Sequence, residues 1–118
     1  MDDYLAILKH EFEAGDQSFL IKIRVWLDCD RAAFTRLATA MHVYCLKHAG
    51  AVVVERWLAE GFWYLSTFTR DWTTHPNFPR IYGETYYLQA YEQLDDLAYW
   101  FFVGSSPYEE RFIFEPLT

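Results

Sequence analysis

The chain reads as an α+β domain: a ferredoxin-like β-α-β-β-α-β order behind an extra N-terminal helix. Three patterns predict this. Residues 19–27 alternate with period two, residues 30–50 and 84–104 carry helical apolar stripes between capping residues, and residues 52–69 hold a valine run and a central glycine that read as a hairpin. An all-α helical bundle, in which 17–28 and 51–72 are both helices, is the competing arrangement.

Taken in order, residues 2–14 predict a leading helix. Tyr4, Leu5, Leu8 and Phe12 fall at helical spacing, and Gly15 stands where a cap is expected. In 19–27, Phe19, Ile21, Ile23, Val25 and Leu27 alternate with Leu20, Lys22, Arg24 and Trp26, the pattern of a strand with one buried face. Asp30 suits an N-cap and Gly50 a C-cap. Between them Phe34, Leu37, Ala38, Met41, Cys45 and His48 form one stripe. Residues 52–58 and 62–69 read as two strands joined by a turn at Ala59-Glu60-Gly61. Residues 73–83, with Pro76 and Pro79, form a long internal loop. Residues 84–103 predict a helix ending at Gly104, with Tyr87, Tyr91, Leu94, Ala98 and Phe101 on its apolar face and Trp100 among Gln89, Gln93 and Asp96 on the polar one. Residues 111–115 alternate again and stop at Pro116, as a short edge strand does.

The chain is one domain of 118 residues, long enough to bury a core without staples. Aromatic residues make up 20% of it, which excludes a disordered chain. The formal charge is −7 and uneven: residues 60–118 hold 9 of the 17 acids, 3 of the 10 bases and 17 of the 24 aromatic residues. A negative field repels phosphate backbones and anionic lipid, so neither nucleic acid nor membrane is expected as a partner. The acidic start, the lack of a membrane-length apolar run and two cysteines without metal spacing suggest the cytoplasm.

Glu60-Gly61-Phe62-Trp63-Tyr64-Leu65 resembles the central motif of RNA-recognition motif domains at Gly61, Phe62, Tyr64 and Leu65. Glu60 stands where that motif has a base and Trp63 where it has a small residue, and the match covers six residues. His42, Cys45 and His48, three apart, read as core and helix-end groups rather than zinc ligands. Arg70, Asp71, His75 and Arg80 gather around the loop but match no catalytic motif, and no metal or cofactor is expected.

The leading functional expectation is a non-enzymatic protein-binding module of the inhibitor or immunity type. Glu92, Asp95, Asp96, Glu109 and Glu110 would steer a basic partner, with Tyr99 and Trp100 as anchors. The second is a small-molecule binder or enzyme built as a homodimeric α+β barrel lined by Arg24, Trp26, Trp57, Trp63 and His75. In element order alone that arrangement is similar to cofactor-independent oxygenase-type barrels.

Overall fold

Five helices make up the fold in a computed structural model that describes residues 3–107 and 114–118. They are α1 (Asp3–Phe12), α2 (Phe19–Val25), α3 (Arg31–His48), α4 (Arg56–Thr73) and α5 (Glu84–Val103). There is no strand among the described residues, so the ferredoxin-like expectation gives way to the all-α bundle, and the barrel built on it falls as well.

Two segments carry the correction. In 19–27 the alternation is real, but burial follows the helical repeat: Phe19, Leu20 and Ile23 are buried, while Val25, Trp26 and Leu27 face solvent. Ser18 begins the helix by accepting a hydrogen bond from the Ile21 amide at 3.1 Å. In α4 the buried positions are Leu58, Gly61, Phe62, Leu65, Thr69 and Thr73, a helical stripe running through the expected hairpin. Gly61 is a contact, not a turn. A Cβ built there would sit 2.1 Å from the Phe12 ring, so α1 packs against the bare backbone of α4. Val52, Val53 and Val54 lie in the exposed loop before α4.

The other helices follow their sequence signals closely. Asp30 caps α3 by accepting from the Ala33 amide at 3.1 Å and ties α2 to it through an ion pair with Lys22 at 2.6 Å. That pair and the cap hold the Asp30 carboxyl below its usual range. Gly104 closes α5 in the left-handed region, φ 87°. Gly50 plays no such part, since right-handed Ala49 ends α3. At the end of α1 it is Ala14, φ 56°, that turns left-handed, and Gly15 then donates to the His10 carbonyl at 2.9 Å. Residues 111–113 of the expected last strand, with Tyr108, Glu109 and Glu110, lie outside the described residues, and Phe114 and Glu115 are irregular.

The helices are placed by a few long-range contacts. Tyr4 meets His48 and Glu11 meets Arg36, so α1 runs antiparallel to α3. Phe34 meets Tyr86 at 6.4 Å and the Cys45 thiol approaches the Leu97 carbonyl at 3.7 Å, so α3 and α5 run parallel. Phe62 stacks on Phe101 at 4.3 Å and Arg70 pairs with Asp95 at 2.6 Å, so α4 and α5 run antiparallel. Leu8, Ile23, Leu37, Met41, Leu65, Leu94 and Leu97 fill the centre.

One carboxylate is buried there. Glu11, 1% exposed, accepts from the Phe19 amide at 2.8 Å and pairs with Arg36 at 3.0 Å. Its removal orphans a buried amide and takes one of two partners from half-exposed Arg36, which keeps the Gln17 carbonyl. Glu11→Ala is expected to cost about 3 kcal/mol in urea unfolding. Glu11→Gln, which keeps an acceptor for Phe19, should cost about half that. Gly61→Ala tests the α1–α4 contact: helix propensity alone would favour alanine by about 1 kcal/mol, but the Phe12 ring is in the way. We expect a net loss of about 1–2 kcal/mol in thermal unfolding, and a gain would refute the contact.

Candidate functional site

Of the acidic residues singled out in the sequence, Glu92, Asp95 and Asp96 sit on α5, but not on one line, while Glu109 and Glu110 lie outside the described residues. Glu92 is exposed at the middle of the outer arc, Asp95 lies toward α4, and half-buried Asp96 lies toward α3. Asp95 is paired with Arg70, whose guanidinium also lies 5.2 Å from the Tyr91 ring centre. Asp96 has no such relief. Burial, with Glu92 and Asp95 adding to it, holds its carboxyl above the usual range.

The two expected anchors separate. Tyr99 is 49% exposed. Trp100 is 8% exposed, edge-on to His42 at 5.5 Å, and His42 is stacked in turn on Phe114 at 4.2 Å. Trp100 is therefore buried against His42 and offers no surface anchor.

Two aromatic side chains that the sequence did not assign to this face take its place. The Arg70–Asp95 pair and the Phe62–Phe101 stack fix the α4–α5 register. Each step forward along α4 is a step back along α5, so Trp63, seven residues before Arg70, lies opposite Phe102, seven residues after Asp95. Trp63 is 56% and Phe102 54% exposed. Trp63, Phe102 and Tyr99 therefore crown one seam, with Glu60, Glu92 and Asp95 on the same exposed faces. The exposed stripe Leu88, Glu92, Asp95, Tyr99, Phe102 is visible in the sequence at helical spacing. Trp63 was hidden by the strand reading.

The residues grouped as an alternative pocket do not converge. Trp26 and Arg24 point into solvent at the end of α2. Trp57 lies at the other end of the bundle, edge-on to Phe12 and donating to Glu55 at 2.7 Å. His75 lines a cavity of about 210 Å³ with Leu27, Trp72, Asn77 and Phe78. Its Nδ1 accepts from the Asn77 amide at 3.1 Å, a turn contact.

His42, Cys45 and His48 also go separate ways. His48 bonds the Tyr4 hydroxyl at 2.9 Å and Cys45 is buried. Burial pushes the Cys45 thiol up to about 12 and the Cys29 thiol up to about 11, so neither is a ready nucleophile. Among the described residues no three His, Cys, Asp or Glu side chains gather as a metal site requires, and no helix is long and apolar enough to cross a membrane. Comparison with protein-family models, curated proteins and solved structures found no match to this chain.

The strained charge of Asp96 gives a test of the acidic face. Its carboxyl holds its proton more tightly folded than unfolded, so its contribution to stability falls as pH rises from the ordinary carboxylate value through the raised one. Asp96→Asn should therefore raise the melting temperature at pH 7 and leave it unchanged at pH 3. An equal gain at both pH values would remove charge as the cause.

Proposed function

We propose that this protein is a non-enzymatic protein-binding module, of the kind that docks on and occludes another protein, and that it docks through the outer α4–α5 face. The observation that carries this reading is the exposed trio Trp63, Tyr99 and Phe102 on one helical seam, beside Glu60, Glu92 and Asp95. Large aromatic side chains held on rigid helices are the usual source of binding energy at protein interfaces, since they bury much area and lose little rotamer freedom.

Charge supports a basic partner. A surface of this sign steers basic proteins and speeds encounter, while the aromatic residues govern how long the complex lasts. The Phe62–Phe101 stack, with the exposed Arg70–Asp95 pair beside the patch, sets the register of the two helices, so the anchors meet a partner already arranged.

The test is affinity capture from the native cytoplasm, followed by binding kinetics with the captured protein. Trp63→Ala and Phe102→Ala are each expected to weaken binding about 30-fold or more, mainly by faster dissociation. Glu92→Gln should slow association at low salt and have little effect at 0.5 M salt. A captured protein that binds all three variants like the parent would rule this face out.

A further inference from the structure

The cavity of about 210 Å³ lies at the end of the bundle where α2 meets α4, beside the turn that follows α4. Its apolar walls are Leu27, Trp72 and Phe78, and its polar side chains are His75 and Asn77, both exposed.

These walls are fixed in place without a ligand. The Trp72 indole donates to the Ile23 carbonyl at 2.7 Å, and its ring stacks on Phe68 with centroids 5.3 Å apart. In the turn, the His75 amide donates to the Trp72 carbonyl at 3.2 Å and the Phe78 amide to the His75 carbonyl at 2.9 Å. Phe78 is buried. Leu27 has a left-handed backbone, φ 52°, where glycine is the residue usually found. The chain thus holds a leucine in a strained position, and that leucine is 39% exposed and walls the cavity.

Two features define the occupant. The first is the lack of free main-chain amides from residue 75 to residue 78. Three of these amides are bonded within the turn, that of Asn77 to the His75 Nδ1 at 3.1 Å, and Pro76 has none. An extended peptide, which binds through its main chain, finds no main-chain donor here. The second is the side-chain chemistry. Among the described residues the lining holds no charged group. Because Nδ1 of His75 accepts the Asn77 amide, the neutral ring carries its hydrogen on Nε2, which is a donor. An apolar cavity of about 150 Å³ takes up benzene, so this one has room for a single ring or a fused pair. Trp72 and Phe78 offer such rings edge and offset contacts.

We propose that this cavity binds a free, uncharged aromatic molecule of one ring or two fused rings, which lies against Trp72 and Phe78 and accepts a hydrogen bond from the His75 Nε2. Trp63 and Trp72 are nine positions apart, about two and a half turns, and so lie on opposite sides of α4. The site is therefore separate from the α4–α5 seam and does not depend on the reading given above.

The probe is quinoline, a fused pair of rings with an acceptor nitrogen and no N–H. It is titrated into the full chain while the indole N–H signals are followed by NMR, that of Trp72 being assigned with Trp72→Phe. The Trp72 signal should shift saturably with a Kd on the order of 0.1–1 mM, as suits a ligand of about ten heavy atoms, and that of Trp63 should stay in place. Leu27→Gly suits the left-handed backbone and removes one wall, so it should weaken binding about fivefold or more. His75→Phe, a change at an exposed position, keeps a ring but has no N–H. It should weaken quinoline about fivefold, the worth of one hydrogen bond, and it serves as the test if Leu27→Gly fails to fold. Cyclohexanol, an acceptor without an aromatic ring, should bind about tenfold more weakly than quinoline. The proposal is overturned if about 5 mM quinoline gives no saturable shift of Trp72, if both variants bind like the parent, or if cyclohexanol binds equally well. N-acetyltryptophanamide binding more tightly than quinoline would assign the cavity to a protein side chain and overturn it as well.

Discussion

Glu11 is the constraint from which the rest of this fold follows. A buried carboxylate is costly unless its charge and lone pairs are met, and here they are met from two directions, by the amide that opens α2 and by an arginine of α3. The helix α2 has seven residues, too few to stand alone in water. Its start is fixed by two acceptors, Ser18 and Glu11, and Arg36 also braces the connecting turn by donating to the Gln17 carbonyl at 3.2 Å. With α2 seated, Trp72 donates to the Ile23 carbonyl at 2.7 Å, which secures the far end of α4. The seam with α5 then carries the aromatic patch. A surface feature is thus anchored by a charge in the interior.

The parts of this fold that the sequence revealed are those governed by local chemistry. Asp30 and Gly104 mark helix ends because a cap is a relation between neighbours, and the stripes of α3 and α5 are long enough for their period to be unambiguous. In α2 the segment is too short: Phe19 and Ile23, four apart, fit a strand face and a helix face equally, and only burial, of Leu20 but not of Val25 or Leu27, separates them. Gly61 resembles a turn residue because its real role, admitting the ring of Phe12, depends on a helix 49 positions earlier. The exposure of Tyr99 and Glu92 followed from helical spacing, but the covering of Trp100 could not, because His42 reaches it from a helix 58 positions earlier.

The surface of α5 carries an electrostatic cost that its neighbours do not fully relieve. Of the α5 acids, Asp95 is matched by a base, while Asp96 is held in an unfavourable charge state by burial and by its neighbours. A sequence optimised for stability alone would relieve that strain, and proteins commonly tolerate such costs where a surface has work to do. The exposed aromatic seam has the same character, since three large rings in water contribute little to the core they sit above.

Residues 114–118, a strap tied to α3 and α5 through Thr35 and Gln93, have a consequence for how the chain is made. Thr118 and Leu117 bond residues 87 and 82 positions earlier, Arg31 and Thr35. At about 5–20 residues per second, a ribosome completes that part of α3 roughly 4–17 s before it adds the residues that will cover it. During that interval an apolar face on α3 would invite aggregation. The donors that hold the strap are an arginine, a threonine and a glutamine, which water satisfies while they wait. Holding residues 114–118 through polar side chains and main-chain oxygens lets α3 wait for them without exposing the apolar surface that such a wait would penalise.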